Sequence, residues 1–240
     1  MAIKAPELQW LEGDVPRAEG FGDTYFSKAG GLAETRHVFL GGNSLPDRFY
    51  GRERFTIAEF GFGTGLNFLT TVAAWSQVSD RPALTFLSFE LFPMTGAQLT
   101  RALSVFPELE EFSQALIDAW APKSGWNRLD VAGANLVIGI GDARELIGDL
   151  GPDTIGGRGP DEPIAPVDAW YLDGFSPARN PELWDAALLQ KAADLTASGG
   201  TLATYTAAGW VRRNLQAAGF LIEKTGGFAG KREMVVGRKA

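Results

Sequence analysis

The 240-residue chain has a net charge of −7 and is 45% hydrophobic, with no cysteine and one histidine, His37. This excludes thiol nucleophiles, disulfide frameworks, Cys/His zinc sites and Ser-His-Asp triads. Chemistry is left to carboxylates, backbone groups, Lys, Tyr or a bound cofactor. No clustered Asp/Glu pattern suggests a metal. No apolar run approaches the ~20 residues that span a bilayer and no signal pattern opens the chain, so a soluble, cytoplasmic protein without a membrane partner is expected.

In chain order, residues 1–54 read as a β-rich extension or lid rather than a linker. Phe21-Gly22-Asp23-Thr24-Tyr25-Phe26-Ser27 and Gly31 to Leu40 are aromatic or β-branched runs bounded by glycine pairs, which predicts strands or a hairpin folded over the main domain. His37 within them reads as a packed or surface residue. Residues 55–240 then alternate regularly. Strands are predicted at 55–60, 84–90, 135–140, 167–172, 200–205, 220–225 and 232–237. Helices are predicted at 65–77, 95–106, 108–120, 142–150, 180–197 and 207–218. Such alternation implies an α/β domain with a mostly parallel, Rossmann-like sheet of seven strands, covered on both faces and closed by a C-terminal antiparallel hairpin. Gly151 to Pro166 holds too many prolines and glycines for helix or strand and is predicted to be an exposed, mobile loop.

The first strand ends in Glu59-Phe60-Gly61-Phe62-Gly63-Thr64-Gly65-Leu66-Asn67. Counting from Gly61, the last glycine of the dinucleotide fingerprint G-x-G-x-x-G falls on Leu66, so that match fails. The form E-x-G-x-G-x-G is that of the S-adenosylmethionine loop of class I methyltransferases. Gly61 and Gly63 let a ligand press against bare backbone at a helix start. Gly65 and Asn67 are assigned to the cofactor with them. A tight turn without a ligand is the plain alternative.

Ligands of open α/β sheets sit outside the carboxyl ends of the strands, and four acids fall there: Glu59, Glu90, Asp142 and Asp173. Each alone can be a helix cap. Together they match what S-adenosylmethionine needs. Glu90 can accept from ribose hydroxyls and Asp142 from the adenine amino group. Glu59 can orient the loop or meet the ammonium.

Asp173-Gly174-Phe175-Ser176-Pro177-Ala178-Arg179-Asn180-Pro181 occupies the place where amino-methyltransferases keep an Asn/Asp-Pro-Pro-aromatic signature. Asp173 and a backbone carbonyl can accept the N–H groups of an amine so that its lone pair faces the methyl donor. Phe175 and Pro177 shape the pocket. A carboxylate also favours the unreactive ammonium, which an apolar surround opposes. A turn that caps the following helix is the alternative. Tyr25 and Phe26 are candidates for the substrate side.

From Tyr205 to the end, seven cations against two acids give +5 and leave −12 for the rest. In this stretch Val211, Leu215 and Ala218 form a buried stripe. Arg212 and Arg213 then face solvent and, with Lys231 and Arg232, can meet phosphates. A merely solvated face is the plainer alternative.

Several segments together resemble the methyltransferase half of the MnmC family of tRNA wobble-uridine enzymes, also found alone as MnmD. They are Tyr25-Phe26-Ser27, Gly31 to Arg36, Val38 to Asn43, Glu59 to Phe68, Phe89-Glu90, Leu172 to Pro181, Gly199 to Thr204, Val211 to Arg213 and Lys231 to Met234. The resemblance implies a class I methyltransferase domain over 55–240. It implies N-methylation of 5-aminomethyl-2-thiouridine in tRNA, with S-adenosylmethionine as cofactor, to give 5-methylaminomethyl-2-thiouridine. It places Asp173 at the amine, and the glycine loop, Glu90 and Asp142 at the cofactor. No flavin-dependent half follows, so no FAD is expected. A methyltransferase of a small-molecule amine and a non-catalytic nucleotide-binding module remain the alternatives.

Overall fold

The computed structural model describes residues 3–27, 30–151, 160, 164–230 and 233–240. Lys231, Arg232 and most of the 151–166 loop fall outside them. In chain order, β1 (Leu8–Leu11), β2 (Val15–Ala18) and β3 (Asp23–Thr24) form a small antiparallel sheet. After α1 (Gly31–Thr35), helical turns continue through Asn43. The strands expected from the run at 31–40 are therefore helical. Leu32, Thr35, Val38, Phe39 and Asn43 are buried, a spacing of three to four that outweighs the strand preference of the β-branched and aromatic residues. Gly42 at the end of this run allows close docking, since a Cβ there would sit 2.7 Å from that of Ala203.

The main sheet is built from β4 (Arg54–Phe60), β5 (Ala83–Glu90), β6 (Gly125–Val131), β7 (Ala134–Ile140), β8 (Val167–Leu172), β9 (Thr196–Thr204), β10 (Phe220–Gly226) and β11 (Glu233–Lys239). Their order is β10-β11-β9-β8-β4-β5-β7-β6. The five central strands run parallel, while β11 runs antiparallel to β9 and β10 as expected of a closing hairpin. Among the described residues the sheet has eight strands rather than seven. The extra one, β6, folds back antiparallel on β7 through Ala132-Gly133, both at positive φ, a two-residue hairpin turn.

Helices α2 (Leu66–Ser76), α3 (Gly96–Leu103) and α4 (Glu110–Ala119) lie on one face. Helices α5 (Ala143–Leu146), α6 (Ala186–Leu195) and α7 (Gly209–Ala217) lie on the other. Alternate residues of one strand enter different cores. Ala169 and Tyr171 of β8 join the first, Trp170 and Leu172 the second. Burial on both sides is why these strands read as continuous apolar runs. The chain leaves β4 for β5 on one side and later returns to β8 on the other. The carboxyl ends of β4 and β8 thus flank the switch point, where a crevice opens.

Candidate active site

A cavity of about 800 Å³ lies over these strand ends. Its floor is the glycine turn. The N–H groups of Gly61 and Phe62 donate to the Phe89 carbonyl (3.1 and 3.0 Å). Gly63 N–H donates to Glu90 Oε2 (2.8 Å) and Phe92 N–H to Glu90 Oε1 (2.8 Å). Glu90 therefore fixes two loops at once, and it lines the cavity. Burial pushes its carboxyl up, opposed by these amide bonds.

The glycines serve approach by the protein itself. All three have positive φ. A Cβ on Gly61 would lie 3.2 Å from Gly174 Cα, one on Gly63 3.1 Å from the Tyr25 ring, and one on Gly65 2.9 Å from Phe62. Gly61 and Gly63 line the cavity; Gly65 starts α2 in the left-handed conformation behind it.

Glu59 does not reach the cavity. It is fully buried, with Oε1 accepting from Ser88 Oγ (2.8 Å) and Oε2 from Asn67 Nδ2 (3.2 Å). Burial, with Asp173 and Glu90 nearby, holds its carboxyl well above the ordinary range. Of the two roles expected for it, orienting the loop or meeting the ammonium, its inward place on β4 and its bonds to Ser88 and Asn67 favour the first. Asn67 lines the cavity, but its amide is engaged with protein. Nδ2 donates to Asp173 Oδ2 (2.7 Å) and Oδ1 accepts from Thr35 Oγ1 (3.0 Å).

Asp142 caps α5, accepting from Arg144 N–H (2.9 Å), and is clasped by the Arg144 guanidinium at 2.6 to 3.1 Å. Those bonds hold its carboxyl below the usual range. Both residues line the cavity.

Asp173 follows β8. Phe175, two residues on, stacks on Phe21 (4.6 Å between centroids) and meets the edge of Tyr25 (5.1 Å). Asp23 Oδ2 accepts from Ser176 N–H (3.0 Å), joining the N-terminal sheet to this turn. Tyr205 OH donates to the Gly174 carbonyl (2.9 Å). Burial, with Asp173, Asp23 and Glu34 beside it, raises the phenol far above its ordinary value, so it remains a donor. Asp23, Glu34, Glu90, Asp142, Asp173 and Glu182 line the walls, against Arg144. A cavity so charged selects a cation, and a sulfonium carrying an ammonium fits it.

The structure brings Tyr25, Phe26, Gly61, Gly63, Asn67, Glu90, Asp142, Asp173 and Phe175 to one cavity. Pro177 is buried outside its wall, and Arg212 and Arg213 stand on α7 away from it. Arg212 is half-buried rather than fully solvent-facing. His37 bonds the Gly226 carbonyl (2.9 Å), also outside the cavity. Sequence reasoning missed Phe21, Asp23, Glu34, Thr35 and Tyr205. The aromatic run around Asp23 was the signal for Phe21 and Asp23, and the Gly31 to Arg36 segment for Glu34 and Thr35. Among the described residues, no helix is long and apolar enough to cross a membrane.

Residues 107–240, more than half of the chain, match a family model described as S-adenosyl-L-methionine-dependent methyltransferase. The tRNA 5-methylaminomethyl-2-thiouridine biosynthesis bifunctional protein MnmC of Aeromonas hydrophila is 46% identical over 242 residues, which is 97% of this chain and 35% of that protein. The protein of the same name from Stutzerimonas stutzeri is 43% identical over 246 residues, 98% of this chain and 35% of that one. The chain spans about a third of the length of these curated relatives. Among solved structures, MnmC2 from Aquifex aeolicus has a TM-score of 0.73 at 21% identity, covering 98% of this chain and 70% of that chain. That likeness is one of fold.

Proposed function

This chain belongs to the S-adenosyl-L-methionine-dependent methyltransferase family, and from that premise we propose that it methylates the amine of 5-aminomethyl-2-thiouridine at the wobble position of tRNA. The product is 5-methylaminomethyl-2-thiouridine, and the setting is the cytoplasm. The observation that carries this reading is Asp173, held by Asn67 at the wall of an acidic cavity shared with the glycine turn and Glu90. The MnmC relatives support the choice of acceptor.

S-adenosylmethionine, when bound, supplies an electrophilic methyl group on a sulfonium. Glu90 would hold its ribose hydroxyls and Asp142 its adenine amino group, both residues lining the cavity. Asp173 would accept an N–H of the acceptor amine and turn its lone pair toward the bound donor, so that the C–N bond could form as the sulfonium's C–S bond breaks. Phe175, Phe21 and Tyr25 make an apolar wall that opposes a permanently protonated amine. Alignment of this kind lowers a barrier by ~7–11 kcal/mol. Residues 1–54 act as a cover on a methyltransferase domain spanning 55–240. Arg212 and Arg213, on α7 outside the cavity, contribute to RNA contact; Lys231 and Arg232, expected to join them, lie outside the described residues.

The acidity of the cavity also suits a methyltransferase of a small amine. Purified protein with labelled S-adenosylmethionine separates the two readings. Label is expected in tRNA carrying the aminomethyl group and not in tRNA lacking it. Label in a free amine alone would support the small-molecule reading.

A further inference from the structure

At the rim of the cavity, two arginines from distant parts of the chain close on one point. Gly22 lies between Phe21 and Asp23, which both line the cavity. A Cβ built on Gly22 would meet Arg179 Nη1 at 3.2 Å and Arg17 Nη2 at 3.6 Å. Arg17 is set by β2, with Nη1 donating to Gln9 Oε1 (3.1 Å) and Nη2 to the Gly22 carbonyl (3.3 Å). Arg179 arrives from the exposed turn after Asp173, which the bond from Ser176 N–H to Asp23 Oδ2 holds in place. Among the described residues neither guanidinium forms an ion pair. Asp23, adjacent to Gly22, is engaged by the Thr24 and Ser176 amides. Among the described residues, the rim therefore carries two guanidinium groups that no carboxylate pairs directly, beside a cavity of the opposite sign.

We propose that Arg17 and Arg179 form a phosphodiester-binding site at the cavity mouth, gripping the acceptor RNA beside the nucleotide whose base enters the cavity. The assignment rests on tRNA being the acceptor, as argued above. A nucleotide that offers its amine to acidic walls has to keep its phosphates outside them. Two planar guanidinium forks match phosphate oxygens in that place. The bare backbone of Gly22 leaves room for both. Neither residue belongs to the basic C-terminal stretch, so the charge count along the chain does not reveal the pair.

The test is binding of an aminomethylated anticodon stem-loop RNA to the full chain at several salt concentrations, beside methyl transfer to the same RNA. Arg179→Ala is expected to weaken RNA binding and raise KM about tenfold, and to lower the salt slope by about one. Turnover at saturation and S-adenosylmethionine affinity stay unchanged. Arg179 makes no side-chain bond among the described residues, so this variant keeps the fold even if Arg17→Ala does not. A methylphosphonate beside the target nucleotide should reproduce the loss and abolish the effect of Arg179→Ala. Wild-type RNA affinity and salt slope in Arg179→Ala would overturn the proposal. Weakened S-adenosylmethionine binding would also overturn it, by giving the pair to the cofactor's carboxylate. Arginine-dependent RNA binding with no methyl transfer by the wild type would support this site and refute the catalytic reading alone.

Discussion

Asn67 donates to Asp173 across 2.7 Å, and the same amide nitrogen reaches Glu59 at 3.2 Å. Its oxygen accepts from Thr35, so one buried side chain ties α1, β4 and the turn after β8 together. Both amide hydrogens are engaged with protein carboxyl groups, which makes Asn67 a positioning residue for Asp173.

Replacing that amide should loosen the carboxylate while the glycine turn stays in place. Asn67→Ala is expected to lower kcat about 100-fold, as a misplacement of about 1 Å does, with KM for S-adenosylmethionine changed far less. Thr35→Val should show a weaker form of the same split, and Thr35→Ser should restore it. Steady-state kinetics on both substrates check this.

Glu59 gives a pH signature in stability. Burial raises its carboxyl in the fold, so the folded chain holds this proton more tightly than the unfolded chain does. That contribution is fully present below the unfolded carboxyl value and is lost as pH rises through the folded one. Glu59→Gln removes the dependence. Chemical denaturation across pH should show the wild type losing stability relative to Glu59→Gln as pH rises from acid to neutral.

Glu90 holds the amides of Gly63 and Phe92 on separate oxygens. Glutamine has one carbonyl oxygen, so Glu90→Gln leaves one amide without its acceptor and faces it with an amino group. Affinity for S-adenosylmethionine should fall about tenfold or more, on the scale of one charge-assisted hydrogen bond. Isothermal titration measures it directly.

Gly61 is tested by stability alone. Its φ is +82° and an added Cβ would press on the Gly174 backbone, which has no side-chain freedom to yield. Gly61→Ala should cost about 1–3 kcal/mol, read from denaturant midpoints.

The order of strands and helices in the parallel domain was legible because both faces of the sheet are buried and the ends of β4, β5, β7 and β8 carry an acid. The edge strand β6 was not, since Trp126-Asn127-Arg128-Leu129-Asp130 mixes exposed polar residues into the run. Only its Ala132-Gly133 turn marked the hairpin. The 31–43 segment was misread because Val38, Phe39 and Leu40 look β-prone, whereas burial follows a helical spacing. In the site, Glu90, Asp142 and Asp173 were legible from their place at strand ends. Thr35 and Tyr205 were not, because their roles arise from contacts across 32 and 31 residues of chain.

The most direct measurement is single-turnover methyl transfer to aminomethylated tRNA by Asp173→Asn, with S-adenosylmethionine binding recorded on the same preparation. The account predicts near-wild-type binding and transfer slowed at least about 100-fold. Transfer at the wild-type rate would contradict it.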